Sequence, residues 1–284
     1  LAQPSIVEAD ERDYGSGKGG RMTKETFQQS LQTEASRFNA AVSTPDGDWV
    51  VKGFIDIARN IYTISVDTKV ISKIMELLLF PYLANFAERN QLRMVLAEYQ
   101  NFYPDITFVD AEENRFAVDI KSTYRTDSGH VNGMTLGAFT GYFRDRASSK
   151  NISFPYGSYV AHFVLGIIYS QAGGGIDERR KYRLDELESI ASVVNSFEFF
   201  VQEKFRIATD RPGSGNTKNI GSVIDIQKLL CGEGPFASLG IEIFDDYWMF
   251  YLTEDMARAT ELKKRPYTNL ATYHKYKTKG RRRK

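Results

Sequence analysis

Hydrophobic positions recur at two different periods along this chain. Phe27, Leu31, Ala35 and Phe38 are spaced as one face of a helix, and Thr23 stands where an N-cap belongs. After the turn "PDGDW", the run "WVVKGFI" predicts a strand. A second helix is predicted after "SVDTK", with Ile71, Ile74, Leu77 and Leu78 inward and Glu76 beside that face. From residue 103 the period becomes two. Ile106 and Phe108 alternate with Asp105, Thr107 and Val109, and Phe116, Val118 and Ile120 alternate with Ala117, Asp119 and Lys121. Alternation of this kind predicts two half-buried strands, joined by the polar turn "DAEEN" at residues 110–114. Further on, a buried strand is predicted from Tyr159 to Tyr169, a helix over "LDELESIASVVNSF" and a strand over "EFFVQEKFRIAT". No repeat or low-complexity linker divides residues 23–284. The expectation is a single α/β domain, a mixed β-sheet flanked by helices with a basic C-terminal tail. A flexible N-terminal tail is expected over the polar, glycine-rich residues 1–22.

The hairpin raises a chemical question. Asp105 lies seven residues before Glu112, the centre of the turn, and Asp119 lies seven after it. A simple antiparallel hairpin sets them opposite each other, with Cβ atoms roughly 4.5–5.5 Å apart. Two carboxylates that close repel, and one pKa rises unless a positive group stands between them. A hard divalent cation is the natural candidate, and Lys121 follows Asp119 on the same face. A single strand-end Asp or a single strand Lys is usually just a solvent-facing group. Three such residues on one face, flanked by apolar side chains, point instead to a site.

Composition narrows the picture. With 284 residues and 42% hydrophobic content, the chain can build one sizeable core or two small ones. The net charge of +1 makes no demand for nucleic acid. The basic end "HKYKTKGRRRK", preceded by "ELKKRP", fits either a polyanion contact or a solvated tail. One cysteine, Cys231, and three histidines, His130, His162 and His274, exclude a Cys/His zinc cluster and a disulfide framework. A Cys–His nucleophilic pair is formally open but has no local support. Low cysteine use fits a cytoplasmic location. The most apolar run, "ISKIMELLLFPYLANFA", is interrupted by Lys73, Glu76 and Pro81, so neither a membrane span nor a secretory leader is expected. The "GSGKGG" stretch fails as a phosphate-binding loop, with Arg12 where glycine is needed and Gly19 where Ser or Thr is needed.

A second unusual stretch is "GSGNTKN": Gly213, Ser214, Gly215, Asn216, Thr217, Lys218 and Asn219. Its glycines permit close backbone approach, and Asn pairs bidentately with adenine in the major groove. On composition alone an ordinary surface turn is the better fit.

Pro104-Asp105, thirteen residues, then Asp119-Ile120-Lys121 fits the PD-(D/E)xK pattern of metal-dependent nucleases. The stretches "DTKVISKIMEL", "QNFYPDITF", "VDIKSTY", "TLGAFT", "YVAHFVLG" and "GSGNTKNIGS" occur in the order found in EcoRV-like type II restriction endonucleases, which the chain resembles over roughly residues 27–284. The resemblance implies a restriction-endonuclease-like core and a homodimer. Its implied activity is Mg²⁺-dependent cutting of both strands of a short palindrome in double-stranded DNA, with one or two ions per site. It implies metal binding and catalysis by Asp105, Asp119 and Glu76, with Lys121 as the catalytic lysine. For DNA contact it implies Gly213, Ser214, Gly215, Asn216 and Thr217 in the major groove, Gln100 and Asn101 along the minor groove, and Thr123 and Lys150 at phosphates. A GATATC-like target, a blunt cut, direct water attack and a partner DNA methyltransferase are implied in the same way. A structure-selective nuclease of the same fold and a non-cleaving DNA-binding regulator are the competing classes. The base-reading loop argues against the first, and the Asp105, Asp119 and Lys121 set against the second. The chain departs from the resemblance in a shorter interval between the two acids, in Gly141 where a hydroxyl is expected, and in Arg211-Pro212 ahead of the loop.

Overall fold

The structure is a computed structural model that describes residues 22–173, 177–213 and 218–281. Along the chain run α1 (Lys24–Ala35), α2 (Asn39–Val42), β1 (Gly53–Ile55), β2 (Ile61–Thr63), α3 (Thr68–Arg89), β3 (Arg93–Leu96), β4 (Ile106–Val109), β5 (Arg115–Tyr124) and β6 (Thr135–Ala138). They are followed by β7 (Tyr159–Gln171), β8 (Lys181–Tyr182), β9 (Val194–Glu203), α4 (Lys204–Ile207), β10 (Ala208–Pro212), β11 (Asn219–Ser222), α5 (Ile226–Cys231), α6 (Ile241–Phe250), α7 (Glu254–Ala259) and α8 (Leu270–Arg281). The central sheet has the order β3-β4-β5-β7-β9. It is mixed, because β5 and β7 run parallel while the other neighbours are antiparallel. Two small sheets, β1-β2-β8 and β10-β11-β6, flank it.

Each face of the central sheet carries its own core. On one, Phe27 and Leu31 of α1 and Ile71, Met75, Leu79 and Leu83 of α3 meet Phe108, Phe116, Val118, Phe163 and Leu165. Phe27 stacks on Phe116 with ring centroids 4.5 Å apart. On the other face, Ala117, Val164, Ile168 and Phe200 meet Leu136, Phe139, Phe244 and Trp248. Thr23 caps α1 as expected, in a reciprocal pair with Thr26.

The structure corrects several details. β4 and the first half of β5 are buried on both sides, not half-buried, because both faces of the central sheet are covered. The inward set of α3 is Ile71, Met75, Leu79, Leu83 and Phe86, while Leu77 is 55% exposed. Apolar residues surround this helix, so periodicity could not fix its rotation. Docking does so, including a 2.6 Å hydrogen bond between the Ser72 and Ser122 hydroxyls. α3 is long and apolar enough to cross a membrane by length and composition, yet its inward set is protein core. The helix predicted over residues 184–197 shrinks to a 3-10 turn, Leu184–Ser189, and Val194–Glu203 is strand. Pairing with the long β7 outweighs helix propensity there. Strand structure in "WVVKGFI" is confined to Gly53–Ile55.

Gly166 of β7 pairs laterally with Lys121 of β5. A Cβ at this position would lie 2.0 Å from the Phe200 ring, inside a well-packed core. Gly166→Ala is therefore expected to cost about 1–3 kcal/mol of stability, as overpacking does. Urea denaturation of the variant beside the parent protein measures it, and an unchanged midpoint would contradict this account of the packing.

Candidate active site

The register between β4 and β5 builds the site. Ile106 pairs with Val118 and Thr107 with Ala117, so the next step of the same register sets Asp105 against Asp119. β4 stops at Ile106 while β5 continues to Tyr124. Ile120 therefore lies beyond the last β4 partner, and its backbone N–H donates instead to Asp105 Oδ2 at 2.7 Å. The Asp105 carboxylate thus caps the end of the ladder and is fixed beside Asp119.

Lys121 supplies the positive group. Its Nζ lies 2.6 Å from Asp119 Oδ2, 3.8 Å from Asp105 Oδ2 and 3.3 Å from the Ile120 carbonyl oxygen. Asp119 is only 5% exposed. Burial, then the charge of Asp119, pushes the Asp105 carboxyl up to about 7, against the opposing pull of Lys121 and the Ile120 N–H. Burial alone would lower the Lys121 ammonium, but Asp119 and then Asp105 outweigh it and hold the group above its usual range.

A divalent metal fits this donor set in kind. Three oxygens from Asp105, Asp119 and Ile120 already converge on one cationic atom, and hard cations take oxygen donors of this type. Among the described residues no three acidic, His or Cys side chains form a metal cage. Glu76 is near but not convergent. It is paired with Lys73 at 2.7 Å, and it lines a cavity of about 250 Å³ together with Asp105 and Gln100.

The family profile described as "Restriction endonuclease EcoRV" matches residues 45–278. The type II restriction enzyme EcoRV of Escherichia coli is 33% identical over 235 residues, covering 82% of this chain and 92% of the relative. The chain belongs to the EcoRV restriction endonuclease family. Among solved structures, the NlaIV restriction endonuclease aligns over 84% of this chain and 90% of its own, with a TM-score of 0.36 and 10% identity, too slight a likeness to carry an argument.

The remaining residues singled out from the sequence fall in several places on this EcoRV-family chain. Asn101 is exposed and its side-chain amide lies 3.5 Å from that of Asn151, beside exposed Lys150. Thr123 is buried, and its hydroxyl donates to the Asn132 carbonyl. Gly213 N–H donates to the Asn219 carbonyl at 2.9 Å, closing the mouth of the β10–β11 hairpin. A side chain there would press to 2.9 Å from Thr135. Ser214, Gly215, Asn216 and Thr217 lie outside the described residues.

Sequence reasoning missed a polar box behind the acids. Lys204 is 2% exposed, and among the described residues its Nζ has no hydrogen-bond partner. It sits 4.3 Å from the centroid of Tyr103 and 5.5 Å from that of Tyr156. Burial draws its ammonium down to about 8, with the charge of Asp119 opposing. The Tyr103 hydroxyl meets His162 Nδ1 at 2.9 Å, and the His162 ring stacks on Tyr156 at 3.9 Å. Burial, then Lys204 and Arg146, keep His162 well below its usual range, hence neutral. The available signal was slight: Lys204 stands between Glu203 and Phe205 in a strand-like stretch, "EFFVQEKFRIAT".

The raised Asp105 carboxyl has a sign in stability. Between about 4 and 7 the unfolded chain loses this proton while the folded one keeps it, so the group's contribution falls as pH rises through that window. With EDTA present, Asp105→Asn should flatten the decline. Urea titrations from pH 4 to pH 8 test this, and parallel profiles for parent and variant would rule it out.

Proposed function

We propose that this protein is a Mg²⁺-dependent type II restriction endonuclease that cuts both strands of a short palindrome in double-stranded DNA. The observation that carries the reading is the facing pair Asp105 and Asp119 with the Lys121 ammonium between them. A bound divalent cation would make its water more acidic and neutralise charge at the phosphoryl oxygens. Asp119 and Asp105 would hold it, with Glu76 assisting. Lys121, once released from Asp119, would face the phosphate and stabilise charge gathering on its non-bridging oxygens. No side chain is required as a covalent nucleophile, so direct attack of water with inversion at phosphorus is the proposed course.

Base reading is assigned to Gly213, Ser214, Gly215, Asn216 and Thr217. Gln100 and Asn101 are assigned to the minor groove and Lys150 to a phosphate, while buried Thr123 would reach a phosphate only once its hydroxyl leaves the Asn132 carbonyl. A GATATC-like site, a blunt cut, a cytoplasmic location and a partner methyltransferase belong to the same reading. Both cores share one central sheet, which supports treating residues 23–284 as one domain.

The β1–β2 hairpin supports the homodimer. Phe54 and Ile55 are more than half exposed, Ile57 is fully exposed, and among the described residues β1 is the outer strand of its sheet. Apolar groups clustered on an open edge mark an interaction surface. Ile55→Asp with Ile57→Asp should reduce the solution mass from about twice 32.3 kDa to 32.3 kDa and abolish double-strand cutting. Light scattering decides it, and an unchanged mass would place the interface elsewhere.

Plasmid digestion with Mg²⁺ tests the activity: discrete fragments support sequence specificity, while a smear supports a structure-selective nuclease. Asp119→Ala should abolish cleavage while DNA affinity survives or rises, because a negative charge near phosphate is removed. Lys121→Ala should slow cleavage by about 100-fold or more, the size of about 3 kcal/mol of lost transition-state stabilisation. Parent rates in either variant would refute the assigned roles.

A further inference from the structure

Glu76 lines the same cavity as Asp105, yet its carboxylate is held by another group. Lys73, one helical turn earlier on α3, places Nζ 2.7 Å from Glu76 Oε1. The lysine stem runs along the helix toward Phe80, with Nζ 6.0 Å from that ring. Lys73, Glu76 and Phe80 line the cavity that also contains Asp105 and Gln100. The Glu76 side chain is 24% exposed and that of Lys73 53%, so the acid faces the cavity while the base can swing into solvent. The charge of Glu76 nonetheless helps, after Asp119 and Asp105, to raise the Lys121 ammonium. Glu76 is thus within electrostatic reach of the site and outside coordinating reach of it.

We propose that Lys73 is a positioning residue that withholds Glu76 from the acidic pair until an incoming divalent cation displaces it. The proposal rests on the reading of Asp105 and Asp119 as a cation seat. The physics is a competition between an ammonium and a dication for one carboxylate. A partly exposed i,i+3 ion pair is weak, so it biases the carboxylate without locking it. A second ammonium, Lys121, does the same to Asp119 at 2.6 Å. In the DNA-free protein two internal cations therefore stand against three acids, which lowers the repulsion among the acids and the affinity for an external ion together. Lys73 needs no contact with DNA in this scheme, and it acts only through Glu76.

The test is binding of Mn²⁺ to the full-length, DNA-free protein, followed by electron paramagnetic resonance of the free ion. Lys73→Gln should tighten Mn²⁺ binding by about 3- to 10-fold, the size expected from removing one carboxylate partner and one like charge near a dication. Lys73→Arg, which keeps the pair, should bind as the parent does. The gain should vanish in Lys73→Gln with Glu76→Gln. Equal binding by the parent protein and Lys73→Gln would overturn the proposal, and so would a gain that persists without Glu76. Asp119→Ala separates the underlying reading: if it binds Mn²⁺ as the parent does, the acidic pair is not the seat and the failure lies there.

Discussion

Everything at this site depends on forcing two carboxylates to face each other across a hairpin whose surroundings are apolar. The register does the forcing, and the register is held by side chains far from the chemistry. Phe108, Phe116 and Val118 are completely buried against α1 and α3, and Ala117 is completely buried on the opposite side. Sliding β4 against β5 by one residue would drive those groups out of both cores. The repulsion between Asp105 and Asp119 is small beside that cost, so the fold can hold the acids in an arrangement they would not adopt alone.

Positive charge resolves the resulting conflict in layers. Lys121 bridges the acids from the front, and the Ile120 N–H supports Asp105 from the backbone. From behind, Lys204 lies against the faces of Tyr103 and Tyr156. An ammonium buried without a hydrogen bond is costly, and its two aromatic faces together with the nearby charge of Asp119 offset part of that cost. Tyr103 precedes Pro104 and Asp105 in the chain, so the ring that supports the buried lysine also belongs to the segment that delivers the acid.

The opposition of Asp105 and Asp119 is legible in the period-two alternation around a five-residue turn, because a hairpin is a local object whose register follows from its turn. The cap of α1 was legible for the same reason. What the sequence concealed was non-local. The burial of β4 on both faces depends on layers contributed by residues before 90 and after 130. The rotation of α3 was ambiguous because Leu77 and Leu79 are equally apolar, and only docking chooses between them. Residues 194–197 carried the end of a helical pattern, yet pairing with β7 draws them into the strand that the sequence places from Glu198 onward. Lys204 was hidden because its partners, Tyr103 and Tyr156, lie some fifty to a hundred residues away in the chain.

The hairpin turn has a consequence for descent. The Asp110 carboxylate accepts from the N–H groups of Glu112 and Asn114 and from the Asn114 side-chain amide, so the turn is closed by its own residues. It borrows nothing from the site at the other end of the strands. Residues gained or lost within 110–114 lengthen or shorten a loop tied to the sheet through the ion pairs of Glu113 with Arg93 and Arg115. A single residue gained or lost in either arm would instead turn every side chain beyond it to the opposite face, bringing Val118 or Ile120 to the position of Asp119. Length variation among descendants of this gene is therefore channelled into the turn, and the arms are inherited as fixed rulers.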